Sequence, residues 1–228
     1  MNSNFKIFLK GIVDVSPLMI PVVPFGLIFG VLAIDIGFTP LETMGMSLIV
    51  FGGASQIVLL QLFSGGASSL VIISSVGAVN SRHLLYGAVL SEYLNKLSFI
   101  KKLFISYIVV DQAFAESAKF FKNNKSEKYL HYHLIGAGCT LWTCWQIATL
   151  AGIILGSFVP EELGLKFTIP LTFIAIVVQD LKKLDHVIVM LVCGISSLLF
   201  FNAPLKSYII ISPIIALFVA SLILRLKK

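Results

Sequence analysis

The chain has 228 residues, 57% of them hydrophobic and 12% charged, with a formal net charge of +6 and a mean hydropathy of +0.97. A soluble domain carries roughly 25% charged residues, so an ordinary water-facing globule is excluded. The basic excess would point to nucleic acid on a soluble chain. Here it sits in lysines between apolar runs, where it orients membrane segments, and no nucleic-acid partner is expected.

Eight apolar runs follow one another, at 12–36, 41–63, 68–90, 100–121, 133–159, 167–179, 187–201 and 208–224. About 20 residues cross hydrocarbon as a helix, and none of the runs shows the alternation of a barrel strand. The expectation is an all-α, polytopic integral membrane protein of about seven or eight hydrophobic helices. It forms a single transmembrane transporter domain over residues 1–228. Some helices are expected to be discontinuous or re-entrant.

The first run carries Pro17, Pro21 and Pro24, then Gly26 and Gly30. A proline inside a helix costs about 3 kcal/mol, so a regular helix is not expected through the three. The carbonyls they free must find protein, water or substrate. A broken helix lining a polar cavity meets that need, and a packed kink without a substrate role is the alternative. The run lacks a small-residue cleavage site and is read as retained.

The second run contains Phe51, Gly52, Gly53, Ala54, Ser55 and Gln56. Its small residues suit close helix approach. Gln56 has four hydrogen-bonding sites that need partners once buried. The third run holds Asn80, Ser81, Arg82, His83, Leu84, Leu85, Tyr86 and Gly87. An arginine in mid-membrane costs about 2.5–3.5 kcal/mol even on lenient scales, which marks Arg82 as a functional candidate or one half of a structural ion pair. At 3.6 residues per turn Asn80, His83 and Gly87 share a face and Arg82 points away from it. A helix break near 77–80, or burial on all sides, would resolve that conflict.

In the fourth run Asp111 follows an apolar stretch and is the acid to pair with Arg82; the alternative places it solvated at the membrane edge. Glu116 and Lys119 weaken this run as a span. In the fifth, His131 and His133 stand at i, i+2, whereas a zinc pair on one helix face wants i, i+4. No cofactor, metal or catalytic motif is present. The sixth is short, contains Pro170 and ends near Gln179. The order Gly30, Phe51, Gln56 is echoed by Gly156, Phe173, Gln179, which suggests a diverged repeat.

Basic clusters before the first run, after the fourth and sixth, and at the end agree with eight crossings and a cytoplasmic N-terminus. Lys96, Lys101 and Lys102 then fall outside. Six crossings, with the second and fourth runs re-entrant, place every basic cluster inside.

Taken together, Pro24-Phe25-Gly26, Gly53-Ala54-Ser55-Gln56, Asn80 with Arg82-His83-Leu84-Leu85-Tyr86, Asp111 before Ala113-Phe114-Ala115, Trp145 ahead of Gly152 and Gly156, and Gly164-Leu165-Lys166-Phe167 before Phe173 resemble the AzlC (YgaZ-like) family. The resemblance runs from about residue 11 to residue 183. It implies the large subunit of a branched-chain amino-acid exporter in the bacterial cell membrane, working with a small hydrophobic subunit of the AzlD type. The family commonly has Asp-Glu where this chain has Asp111-Gln112, which bears on coupling or substrate choice.

On this reading the protein is a transporter and not an enzyme. It exports branched-chain and similar small apolar amino acids by alternating access, driven by the proton-motive force. Arg82 attracts the carboxylate. Asp111, Gln56 and the carbonyls freed near Pro21 and Pro24 meet the ammonium, and Asn80 and Gly26 are further substrate-binding candidates. Asp111 and His83 are the candidate proton carriers. Two other classes remain: an intramembrane hydrolase using Ser55 or Ser81 near His83, and a channel or scaffold subunit.

Overall fold

The computed structural model describes residues 3–124, 129–156, 181, 184–203 and 208–226. Every regular element among them is helical. In chain order these are α1 (Ser3–Val15), a 3-10 turn (Ser16–Leu18), α2 (Met19–Asp35), α3 (Pro40–Val50), α4 (Gly53–Ser64), α5 (Ser69–Asn80), α6 (Arg82–Leu94), α7 (Phe99–Ile108), α8 (Asp111–Asn123), α9 (His131–Gly156), α10 (Leu184–Leu199) and α11 (Tyr208–Leu226). The run expected at 167–179, with Pro170, Phe173 and Gln179, lies outside the described residues, and so does half of the suggested repeat.

Each of the first four apolar runs is a pair of helices meeting at a break. Pro17 opens the 3-10 turn between α1 and α2. Phe51 leaves α3 in the left-handed region at φ 31°, and Gly52 leads into α4. Ser81 separates α5 from α6, and Leu84 N–H bonds back to Ser81 O at 3.0 Å, a tight three-residue step. Val109 and Val110 are extended between α7 and α8. A half-helix of 10 to 13 residues rises about 15–20 Å, short of the roughly 30 Å of hydrocarbon. Each pair, and not each half, has the length of a span.

Two details of the first run differ from expectation. The helix begins at Ser3, because Lys10 and Asp14 pair at i, i+4 (3.0 Å) and make the polar opening a good helical face. The chain also stays helical through Pro24, so the break falls at Pro17 alone. Pro21 lies in the first turn of α2, where its missing N–H removes little.

Two helical stretches, Asn4–Asp35 and His131–Gly156, are individually long and apolar enough to cross a membrane. They belong to the first of two compact units, formed by Met1–Gln56 with Val79–Pro160. In this unit α1 and α2 lie along α9 on a seam of glycines. A Cβ on Gly11 would overlap the His133 carbonyl, one on Gly136 the Phe8 carbonyl, one on Gly30 the Thr149 carbonyl, and one on Gly152 the Leu27 carbonyl. With no side chain between them the backbones approach closely, which is how helices gain attraction where lipid is as apolar as the protein. Ser47 of α3 donates to Gln146 Oε1 of α9 at 2.9 Å, and Gln146 Nε2 returns a bond to the Ser47 carbonyl at 3.3 Å. The second unit, Ile57–Ala78 with Glu161–Lys228, includes α10 packed on α11, with Ser196, Ser212 and Ala216 buried.

Candidate functional site

Three of the breaks meet in the first unit. Gly52, between α3 and α4, lies beside Asn80, the last residue of α5: a Cβ on Gly52 would stand 3.1 Å from Asn80 Oδ1. Arg82, the first residue of α6, reaches Asp111, the first residue of α8, with Nη1 to Oδ2 at 2.6 Å. Asp111 suits its place, since a carboxylate in the first turn complements the N–H groups a helix start leaves without partners. The second oxygen, Oδ1, accepts from Tyr86 Oη at 2.8 Å. Tyr86 follows Arg82 by one turn, so both reach the same partner. Its ring stacks on Phe114 at 4.4 Å, one turn along from Asp111. Asp111 is therefore gripped by an arginine and a tyrosine from one helix face.

The break at Ser81 answers the geometric conflict in the third run. It leaves the Asn80 carbonyl without its usual helical donor, and His83 Nδ1 takes that place at 3.0 Å. A carbonyl can only accept, so Nδ1 carries the hydrogen. His83 thereby stabilises the break itself, and its ring meets Tyr86 edge-on at 5.5 Å.

Gln56 is fully buried. Its Oε1 accepts from the Gly52 N–H at 3.3 Å, and Ser55 Oγ donates to the Gly52 carbonyl at 2.7 Å. Phe51 is buried against Tyr107 (6.3 Å between rings). The Tyr107 hydroxyl donates to the Leu48 carbonyl and accepts from Trp142 Nε1 at 2.8 Å. A bulky residue in the left-handed region costs about 1–3 kcal/mol. Packing around Phe51 holds it there, and Gly52 turns to face Gln56 and Asn80.

What remains unpaired is informative. Gln56 Nε2, Asn80 Oδ1, Arg82 Nε and Trp145 Nε1 are buried without a hydrogen-bond partner among the described residues. Each such atom costs about 1–3 kcal/mol. Asp35 Oδ2, Ser75 Oγ and Ser212 Oγ share that state, and three of the seven atoms belong to residues within or next to the converging breaks. Two of those three atoms donate and one accepts, beside an arginine and an aspartate that are 32% and 42% exposed on their side chains. That set matches a small ligand carrying one negative and one positive group.

The structure brings Arg82, Asp111, Asn80, His83 and Gln56 into this neighbourhood. It places Pro21 and Pro24 on an exposed side of α2 and sets Gly26 so close to Trp145 and Ala148 that an added Cβ would stand 2.9 Å from the Ala148 methyl. Sequence reasoning missed Tyr86 as the second partner of Asp111, although its spacing one turn after Arg82 was a usable signal. It also set aside His133, whose partners Asp14 and Ser117 are far away in sequence.

Broken helices, an Arg–Asp pair at two helix starts and an unpaired glutamine amide beside a third break mark a helical protein of the membrane class. A family model described as AzlC protein matches residues 17–159, and the chain belongs to that family. It is 29% identical over 206 residues to the inner membrane protein YgaZ of Escherichia coli, covering 86% of this chain and 83% of that one. It is also 29% identical over 184 residues to an uncharacterized membrane protein of Archaeoglobus fulgidus, at 79% and 78% coverage. The branched-chain amino acid transport protein AzlC of Bacillus subtilis is 24% identical over 160 residues, at 69% and 61% coverage. No solved structure matches the chain.

Proposed function

We propose that this chain is the transporting subunit of an exporter of branched-chain and similar small apolar amino acids. It acts as one transporter domain crossing the cell membrane several times, N-terminus in the cytoplasm, with a small AzlD-like hydrophobic subunit as partner and the proton-motive force as drive. The carrying observation is the Arg82–Asp111 pair beside the unpaired Gln56, Asn80 and Arg82 atoms. A zwitterion can replace each half of that pair. Its carboxylate takes Asp111's place on the guanidinium and finds Arg82 Nε and Gln56 Nε2 as further donors. Its ammonium takes Arg82's place on Asp111 and finds Asn80 Oδ1. One dipole replaces another, so the swap strands no charge. Aromatic rings nearby, Tyr86 and Phe114, offer an apolar wall. An apolar wall discriminates by only about 1–3 kcal/mol per methylene, which fits overlapping leucine, isoleucine, valine and methionine export.

The test is Arg82→Ala in a strain whose own exporters are deleted, fed a leucine-containing dipeptide. The variant should insert normally and fail to lower intracellular leucine. Normal export by that variant would refute the site. A hydrolase reading gains no support at Ser55, whose hydroxyl is buried and donates to the Gly52 carbonyl.

A further inference from the structure

A second polar cluster lies where α1, α8 and α9 meet, apart from the site above, with His133 and Ser117 buried and Asp14 partly exposed. His133 of α9 has no exposed surface. Its Nε2 lies 3.0 Å from Asp14 Oδ2 of α1, and its Nδ1 lies 3.0 Å from Ser117 Oγ of α8. Phe120 of α8 stacks on the imidazole at 4.2 Å. Lys10 holds the other Asp14 oxygen at 3.0 Å.

Hydrogen accounting gives this arrangement a specific capability. A carboxylate only accepts, so Nε2 carries a hydrogen. The neighbour of Nδ1 is a hydroxyl, which can do either. With imidazole neutral, Ser117 donates to Nδ1; with imidazole charged, Nδ1–H donates to Ser117 Oγ. A proton arriving at or leaving Nδ1 is thus matched by rotation of one hydroxyl, which keeps a hydrogen bond in both states, with the Asp14 carboxylate in place to balance the charge. A histidine held only for packing needs no partner able to serve both states.

The charged groups facing His133 are Asp14 and Lys10 from α1 and Glu116 from α8, and burial of the ring works against its charged form. On its own helix His131 lies two positions away, and Lys101 of α7 faces His131. Serine, histidine and aspartate also make up nucleophilic triads, but Ser117 and His133 are both wholly buried and leave no place for a scissile bond.

Helix α8 joins the two clusters. Asp111 is its first residue and Ser117 lies six positions on, about 9 Å along the axis. We propose that His133, set between Asp14 and Ser117, is the proton-carrying site of this transporter and acts on the Arg82–Asp111 pair through α8. This rests on the export reading. Protonation reverses the direction of the Nδ1–Ser117 hydrogen bond and adds a cation beside Asp14. The helices gripping that ring therefore have different energies in the two states, and the position of α8 is biased accordingly. The proton taken up at Nδ1 from one side of the membrane is the one released to the other.

Inside-out vesicles bearing the full chain with its small partner allow the test, using radiolabelled leucine. An acid lumen should drive accumulation by wild type, and leucine–leucine exchange should proceed without a gradient. His133→Gln should lose gradient-driven accumulation by about tenfold or more while keeping exchange within about twofold. Retained gradient-driven accumulation overturns the proposal. So does joint loss of exchange and accumulation in inserted protein, which marks a structural role. Ser117→Ala keeps the Asp14 contact and should displace the pH profile of accumulation; an unchanged profile overturns the proposal. If wild type exchanges no leucine, the export reading fails instead. Proton uptake by purified wild type against His133→Gln in unbuffered detergent then still decides the site: lower uptake by the variant supports it, and equal uptake overturns it.

Discussion

Asp111→Asn separates the structural worth of the ion pair from its worth to cargo. The substitution preserves shape and removes one charge. At about 4 Å and an effective dielectric of about 20, a pair of unit charges attracts by about 4 kcal/mol. With side chains 32% and 42% exposed, desolvation and screening return most of that, leaving about 1 kcal/mol of stability. Tyr86 can still donate to the amide oxygen, so the protein should remain folded, with a thermal midpoint lowered by only a few degrees. Transport should suffer more. The ammonium loses a charge-assisted hydrogen bond worth about 2–3 kcal/mol, so half-saturating leucine should rise about 30- to 150-fold. Leucine-dependent thermal stabilisation of purified protein, read beside export in cells, measures both quantities. If the variant saturates within twofold of wild type while stability falls by several kcal/mol, the pair is structural and the cargo assignment is wrong.

Three further outcomes follow from other parts of the chain. His83→Ala removes the cap on the Asn80 carbonyl, which should cost about 1 kcal/mol and slow export a few-fold without abolishing it; complete loss would mean the ring itself handles cargo or protons. Gly152→Leu places a side chain on the Leu27 carbonyl and should abolish stable insertion, seen as loss of a monodisperse peak, because backbone cannot yield as a flexible side chain does. A cysteine at Ser98, between Lys96 and the Lys101 and Lys102 of the first turn of α7, should react with impermeant reagent from the cytoplasmic side if basic clusters all lie inside; labelling from the opposite face would favour eight simple crossings.

Much of the fold was legible because its strongest signals belong to single residues. Apolar runs of span length, the expense of Arg82 in hydrocarbon and the missing N–H of Pro17 are properties of one position and its near neighbours. The Arg82–Asp111 pairing could be read from cost alone, since a guanidinium inside an apolar run needs an acid and the fourth run offered one after an apolar stretch. The angle between Asn80 and Arg82 on a helix left a break near 77–80 or burial on all sides, and the structure has the break at Ser81. The run through Pro24 was less legible: Pro24 lies inside α2, where it forfeits the bond to the Ile20 carbonyl, and the helix continues through it nonetheless.

The amino-acid order by itself thus determined the helical membrane class, the interrupted runs and the costly groups that had to be paired. Only the tertiary structure decided the partners: Tyr86 as the second donor to Asp111, Asn80 beside Gly52, the glycines laid against carbonyls of α9, and Asp14 meeting His133 across 119 positions. Composition and period fix which side chains must find company, but which atoms lie within 3 Å depends on the rotation and rise of several helices at once, and no stretch of one helix carries that information.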